Sequence, residues 1–143
     1  MQTTVQHQQH TLSIRTTGKS LHCFTGEVQQ LVRASGIQMG LCHLFVCHTS
    51  ASLLIQENAD PDVLRDLEKF FSELVPEELS RYQHIAEGPD DMPAHIRSAL
   101  THTSETIPIR SGHLALGTWQ GIYLWEHRRR GQLRQVVVHL TGC

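Results

Sequence analysis

The chain has 143 residues, of which 39% are apolar, and this is enough to build one hydrophobic core. Its formal net charge of −2, with the histidines counted as neutral, argues against a nucleic acid or an anionic membrane as partner. No stretch approaches the roughly 20 apolar residues of a membrane span, and the polar, histidine-bearing N-terminus does not resemble a secretory signal. We therefore expect a single domain over residues 1–143.

The use of cysteine and histidine narrows the class of protein further. The four cysteines form no CxxC pair and no zinc-ribbon spacing, so reduced thiols and a cytoplasmic location fit best. Eleven histidines stand against twelve lysines and arginines, and histidine is the most common protein ligand for metals. The question is which of these histidines share a site.

Strands and helices are both predicted in the N-terminal half. Residues 4–16 alternate between apolar and polar side chains, which predicts a strand. Residues 25–34 carry an apolar stripe at helical spacing, and Thr25 is a suitable N-cap for that helix. The nearly continuous apolar run 41–47 predicts a buried strand, and residues 52–56 predict a further one.

The clearest helix begins near Asp60, which is a suitable N-cap, with Pro61 at the first helical position. Apolar residues then recur at helical spacing until Pro76 ends the helix. Residues 76–94 are polar and contain three prolines, a composition typical of a connection that is either functional or disordered.

The C-terminal part is predicted to begin with a short helix over residues 94–100 and to continue as strands. The predicted strands are 106–109, 114–116, 122–127 and 133–140. In an extended segment, Ile122, Leu124 and Glu126 point to the same side. A carboxylate on that apolar side needs a partner or a function, unless the strand end has already reached water.

Hydroxyl side chains follow His48 directly after the buried strand. Thr49, Ser50 and Ser52 can hydrogen-bond an anion, and a histidine at a strand end can be held in one tautomer by its neighbours. The same residues also suit a turn whose hydroxyls satisfy its own backbone, and both interpretations stay open.

Two histidines flank a pair of adjacent carboxylates in the polar connection. Asp90 and Asp91 repel each other, so a cation between them is favourable, and His84 and His95 lie on either side in sequence. A divalent transition metal accepts imidazole and carboxylate ligands together. The alternative is an acidic, solvated loop with His95 on the wet side of its helix.

Two other segments carry polar side chains of interest. Glu57 and Asn58 can bind or orient a cation or a substrate, whereas Asp60 is better explained as a helix cap. The basic run 127–130 lacks an aromatic platform for stacking bases, so we interpret it as a charged hairpin tip.

Taken together, the segments CHTSAS, PAHIRSAL and LALGTWQGIYLWEHR resemble the YjbQ family, in order, across about residues 40–142. The resemblance implies an α+β subunit with a two-sheet, β-sandwich-like core, two main helices and one short helix. It also implies a homotrimer whose sheets pack around a threefold axis. The implied activity is a secondary thiamine-phosphate synthase reaction, which joins a pyrimidine diphosphate to a thiazole phosphate and releases pyrophosphate.

The resemblance also assigns roles to residues of this chain. The polar positions carried over from the family are His48, Glu57, Asn58, Asp60, His84, His95, Gln120 and Glu126. We expect a divalent metal ion, Zn²⁺ or Mg²⁺, to be held by His48, His84 and His95. Catalytic roles are expected for His48, Asp91, His95 and Glu126. Substrate or phosphate binding is expected for Ser50, Ser52, Glu57, Asn58 and Gln120. The acidic ligand within residues 87–91 is left open, because this stretch varies in the family.

Three functions remain open at this point. The first is the transferase, and the second is a trimer that binds a metal or a phosphorylated metabolite without turnover. The third is a metal-dependent phosphoester hydrolase, which uses the same ligands with water as the nucleophile. Each implies a small phosphorylated metabolite as the partner, with no nucleic acid and no membrane.

Overall fold

The structure is a computed structural model and describes residues 4–143, which form eight strands and three helices. The strands are β1 (Gln6–Arg15), β2 (Ser20–Cys23), β3 (Met39–Val46), β4 (Ala51–Glu57), β5 (Ser104–Arg110), β6 (His113–Leu114), β7 (Gln120–Glu126) and β8 (Leu133–Gly142). The helices are α1 (Thr25–Ser35), α2 (Pro61–Leu74) and α3 (Asp91–Leu100), with a short 3₁₀ turn at Leu79–Arg81.

Two antiparallel sheets face each other across the core. The larger sheet has the strand order β1-β8-β3-β5-β6, and the smaller one has the order β2-β7-β4. Their facing side chains form one apolar cluster, to which α1 contributes Val28 and Val32. Strand β8 shows the alternation expected of such a strand, because Val136, Val138 and Leu140 are fully buried while their neighbours are not. The α+β class and the two-sheet core are therefore confirmed.

Helix α2 lies on the outside of the smaller sheet. Asp60 caps it by accepting a hydrogen bond of 2.9 Å from the backbone N–H of Asp62, and Pro61 is its first residue, as predicted. The helix packs through Phe71 on Trp125, with the two ring centroids 5.0 Å apart. No residue of α2 is fully buried, so the helix covers the sheet rather than filling the core.

Three local features differ from the sequence predictions. Helix α3 begins at Asp91, three residues before the predicted start, so its first turn contains Pro93. Thr25 does not cap α1, because its hydroxyl instead accepts a hydrogen bond of 2.9 Å from the backbone N–H of Ile122. Strand β2 was not predicted, since it has only four residues and its short alternation of polarity does not stand out from the neighbouring sequence.

Within the part of the chain that the structure describes, no helix combines the length and the apolar character needed to cross a membrane.

Candidate metal centre and its cavity

The first turns of α3 bring two of the predicted histidines onto one carboxylate. Asp91 and His95 are one helical turn apart and share a helix face, and His84 approaches from the preceding connection. Oδ2 of Asp91 lies 2.6 Å from Nε2 of His84 and 3.1 Å from Nε2 of His95. We call these three residues the His–Asp–His cluster. Among residues 4–143, it is the one group of three such side chains whose ligand atoms lie within 4.8 Å of one another.

Hydrogen bonding determines which nitrogen of His95 faces Asp91. Nδ1 of His95 lies 3.1 Å from the carbonyl oxygen of Thr49, which can only accept a hydrogen bond. Nδ1 therefore carries a proton, and Nε2 of the neutral imidazole keeps its lone pair. That lone pair faces a carboxylate oxygen, so the contact is repulsive unless a metal ion or a second proton lies between them. Metal-ligating histidines commonly use a backbone carbonyl in this way to fix the free nitrogen.

Asp91 stays ionised although its residue is only 2% exposed. Burial by itself raises the pKa of Asp91, but the His84 hydrogen bond and the charges of Arg128 and His95 together hold this pKa below its ordinary value. Oδ1 of Asp91 lies 2.6 Å from Nη1 of Arg128, so the arginine occupies one oxygen and leaves Oδ2 to the histidines. Asp90 holds Arg128 in place by accepting a hydrogen bond of 2.9 Å from its Nε.

A cavity of about 280 Å³ opens beside the cluster. Its lining residues are His48, Thr49, His95, Ser98, Ala99 and Thr103. His95 therefore belongs to both the cluster and the cavity. A mostly uncharged cavity beside a group of metal-binding side chains is the usual arrangement of a site that acts on a small molecule.

His48 lies in the cavity wall but not in the cluster. Its Nε2 accepts a hydrogen bond of 2.9 Å from the backbone N–H of Gln135, so the lone pair that a metal would need is already in use. Burial and then the charge of Arg134 lower the pKa of His48, although Glu126 acts in the opposite direction. Within one chain, the structure therefore does not place His48 with His84 and His95 as a third imidazole ligand.

Glu126 forms an ion pair in the interior. Its Oε1 accepts hydrogen bonds from Thr16 Oγ1 at 2.6 Å and Arg134 Nε at 2.9 Å, and its Oε2 lies 2.5 Å from Arg134 Nη2. The residue is 0% exposed, and no histidine of the described chain is among its hydrogen-bond partners. Within this chain both carboxylate oxygens of Glu126 therefore have structural partners, and its expected catalytic role stays a prediction.

Ser50 and Ser52 are also turned into the interior. Ser50 Oγ accepts a hydrogen bond of 3.0 Å from Arg134 Nη2. Ser52 Oγ lies 2.8 Å from Nε2 of the buried His127 and 2.7 Å from Thr101 Oγ1. Neither serine lines the cavity within this chain, so the phosphate binding expected of them stays a prediction.

Glu57, Asn58 and Gln120 gather at the far end of the smaller sheet. The register pairs Glu57 with Gln120 at one end of β4 and Ala51 with Glu126 at the other. Six residues at roughly 3.3 Å each place these ends about 20 Å apart. The predicted single group of polar residues is therefore divided between the two ends of the sheet in one chain.

Three participants were missed by the sequence analysis. Arg128 was interpreted as part of a solvated turn, yet it is 19% exposed in its side chain and pairs with both Asp90 and Asp91. The carbonyl of Thr49 orients His95, and Ser98 carries a buried hydroxyl without a hydrogen-bond partner in the described chain. In the sequence, Arg128 is visible only as part of the basic run 127–130, which is far from the acidic segment 87–91, so no local signal linked the two.

Comparison with known proteins places this chain in a family. The model of the family described as "UPF0047 protein YjbQ-like" matches residues 10–143. The chain is similar to a UPF0047 protein of Synechocystis, with 62% identity over 97% of this chain and 95% of that protein. It is also similar to the UPF0047 protein YjbQ of Escherichia coli O157:H7, with 43% identity over 94% of this chain and 97% of that protein.

Solved structures agree with these sequence matches. A YjbQ/UPF0047 family protein of Clostridium acetobutylicum has a TM-score of 0.83 and 37% identity, covering 92% of this chain and 98% of that one. A protein of Sulfolobus solfataricus described as YbjQ-like and of unknown function has a TM-score of 0.90 and 26% identity, covering 98% of this chain and 100% of that one. The chain belongs to the YjbQ-like UPF0047 family.

Proposed function

We propose that this protein is a metal-dependent enzyme acting on a small phosphorylated metabolite at the His–Asp–His cluster. The observation that carries the proposal is the convergence of His84 Nε2 and His95 Nε2 on Asp91 Oδ2, at 2.6 and 3.1 Å. Because Nδ1 of His95 already carries a proton, its contact with Asp91 is favourable only when a metal ion or a second proton lies between the two atoms. Two imidazole nitrogens and one carboxylate oxygen suit Zn²⁺ better than Mg²⁺, which prefers oxygen ligands. A divalent ion held there stabilises the negative charge of a departing phosphate or pyrophosphate.

The protein's own residues prepare this site in three ways. The Thr49 carbonyl keeps the imidazole of His95 in one orientation, and Arg128 keeps Asp91 ionised from the opposite side. Helix α3 fixes the spacing between Asp91 and His95. Because these groups are held before a ligand arrives, little reorganisation is needed when charge develops on the leaving group.

The first reaction to test is the one that the family resemblance implies. In it, a ring nitrogen of the thiazole phosphate forms a new C–N bond, and the C–O bond to the pyrimidine's diphosphate breaks. Pyrophosphate leaves with the electron pair. Phosphoester hydrolysis is the second candidate, and it is supported by a cluster that supplies three protein ligands next to an open cavity, as catalytic zinc sites do.

The metal is tested by elemental analysis of chelator-treated protein after it is reloaded with Zn²⁺ or with Mg²⁺. We expect about one Zn²⁺ per chain, and we expect Asp91→Asn and His95→Gln to lose it because each removes a ligand atom. His102→Gln is the matched control, since His102 lies outside the cluster. An Asp91→Asn variant that retains the ion would contradict the metal site.

Activity is then measured on the zinc-loaded protein with the two thiamine precursors and, separately, with a panel of phosphate monoesters. His95→Ala provides the background rate in both assays. Thiamine phosphate above that background supports the transferase, and free phosphate from monoesters supports the hydrolase. Metal and phosphate binding with no product in either assay would instead favour a binding protein.

Assembly and location are proposed alongside the activity. A homotrimer is supported by apolar side chains on the outer face of the larger sheet, where Met39 is 73% exposed and Phe45 is 52% exposed. A cytoplasmic location is supported by the four cysteines, which are all free in the structure.

A further inference from the structure

We propose that His48 makes the cavity a neutral subsite, in which its Nδ1–H donates a hydrogen bond to an uncharged oxygen or nitrogen acceptor of the substrate. This inference rests on the proposed function and deepens it, because it states where the part of the substrate without the phosphate binds. The anionic part would face the His–Asp–His cluster, and an uncharged ring or chain would enter the cavity.

The tautomer of His48 follows from its backbone partner. The N–H of Gln135 can only donate, so Nε2 of His48, at 2.9 Å, must be unprotonated. A neutral imidazole then carries its proton on Nδ1, which makes Nδ1 a donor. Gln135 lies within β8, which is paired with β1 on one side and β3 on the other, so the position of this N–H is fixed by the sheet. No acceptor for Nδ1 is found among residues 4–143.

The remaining cavity wall indicates the class of ligand. Thr49, Ala99 and Thr103 complete the wall around His48, His95 and Ser98, and none of these six side chains carries a permanent charge. A cavity of about 150 Å³ is known to hold a benzene ring, so about 280 Å³ accommodates a single substituted ring. A second phosphate would find no cation there, whereas a ring with one acceptor atom would meet the His48 donor.

Ser98 offers a second polar group to the same ligand. It is 5% exposed, and its hydroxyl has no hydrogen-bond partner in the described chain. An unpaired buried hydroxyl costs free energy, and rotation about one side-chain bond turns it toward the cavity that Ser98 already lines. The cavity therefore has a fixed donor in His48 and an adjustable hydroxyl in Ser98.

The tautomer is tested directly by long-range ¹H–¹⁵N NMR of the histidine side chains at neutral pH in the complete protein. We expect the His48 signals to show a protonated Nδ1 and an unprotonated Nε2, with His48→Asn used to assign them. A protonated Nε2 would overturn the proposal, and this measurement needs neither a metal nor a substrate.

Ligand recognition is tested by calorimetry with inorganic phosphate, benzyl phosphate and the three isomers of pyridylmethyl phosphate. At least one pyridyl isomer should bind about 5-fold more tightly than benzyl phosphate, the value of one net hydrogen bond. His48→Phe removes the donor and should abolish this preference, whereas His48→Asn places an amide N–H near the same position and should retain it. Zinc content and phosphate affinity should stay unchanged in both variants.

The outcomes separate this inference from the proposed function. Equal binding of benzyl and pyridyl phosphates, or loss of zinc in His48→Phe, would overturn the neutral subsite and leave the cluster intact. Failure of the wild-type protein to bind zinc or phosphate would overturn the proposed function. The NMR result would still decide which ring nitrogen of His48 carries the proton.

Discussion

Buried charges in this protein are placed for two different purposes. Glu126 and Arg134 pair within the interior, where each satisfies the other and neither reaches the cavity. Asp91 and Arg128 pair at the edge of the site, where the remaining carboxylate oxygen is shared by two histidines. A carboxylate with one oxygen still available can bind a cation, and a carboxylate with both oxygens committed to structural partners cannot.

The interior ion pair should matter for stability and not for metal binding. Glu126→Gln leaves the buried guanidinium of Arg134 without its counter-charge, and we expect this to lower the free energy of unfolding by about 3 kcal/mol. Urea denaturation at pH 7 measures the loss. The exposed Glu73→Gln on α2 is the control and should change the free energy by less than about 0.5 kcal/mol. A Glu126→Gln variant that keeps the wild-type stability but loses zinc would show that Glu126 belongs to the metal site.

His127 should make the protein less stable in mild acid. Burial, followed by the charges of Arg97 and Arg134, lowers the pKa of His127 from 6.5 to about 3. The unfolded chain therefore takes up a proton below pH 6.5 that the folded chain excludes, so stability is full above pH 6.5 and falls as the pH decreases toward 3. At pH 5.5, protonation of His127 in the unfolded chain lowers the free energy of unfolding by about 1.4 kcal/mol.

The measurement is urea denaturation at pH 7.5 and pH 5.5 for the wild type and His127→Gln. The variant should lose less stability over this interval, because glutamine does not titrate. An identical loss in the two proteins would show that His127 is not the group responsible.

The sequence predicted the cluster better than the cavity for a physical reason. His84, Asp91 and His95 lie within twelve residues of one another, so local spacing already suggested a shared ligand. The cavity depends on where β3 ends relative to α3, which is a tertiary relation that spacing does not contain. Glu57 and Gln120 were grouped with the site by resemblance, but the strand register places them at the other end of the smaller sheet.

At the scale of secondary structure, an element was predicted correctly where its hydrophobic periodicity and the residues typical of helix ends indicated the same bounds. Helix α2 has both the apolar spacing and the Asp60 cap, and its bounds match the prediction. Helix α3 begins in the sequence PDDMP, whose composition is typical of a loop. Pro93 is tolerated there because backbone N–H groups in the first turn have no partner within the helix.

Close packing of β3 against β8 explains one glycine and gives an element-level prediction. A Cβ atom at Gly40 would lie 2.0 Å from the carbonyl oxygen of Thr141 and 2.8 Å from Cα of Gly142. Gly40→Ala should therefore separate the two strands and lower the free energy of unfolding by about 3 kcal/mol.

The control for this change is another glycine-to-alanine substitution. A Cβ atom at Gly26, in helix α1, would meet no atom within 4 Å, so Gly26→Ala should stabilise the protein by about 0.5 to 1 kcal/mol. Both values are measured by chemical denaturation. Equal effects of the two substitutions would contradict the close approach of β3 and β8.

For the whole molecule, the outer face of the larger sheet is the surface to test for assembly. Light scattering coupled to gel filtration should give three times the chain mass of 16.2 kDa. Phe45→Glu places a charge on this apolar face and should shift the mass to that of one chain, because an interface core excludes unpaired charges. Phe70→Glu, on α2 away from that sheet, is the control and should leave the trimer intact. A trimer that persists in Phe45→Glu would contradict this interface.

The connection between α2 and α3 is held to the rest of the protein mainly by polar contacts. It contains one short 3₁₀ turn. Its hydrogen bonds and ion pairs include those of His84 with Asp91, Glu87 with Arg128, and Glu77 with Lys19. His84 belongs to this segment, so a ligand that binds the whole cluster also holds the segment against α3. Any free-energy difference between a held and a released segment then contributes to binding. Affinity at this site then includes the free energy of ordering the segment, so changes far from the ligand can weaken or strengthen binding.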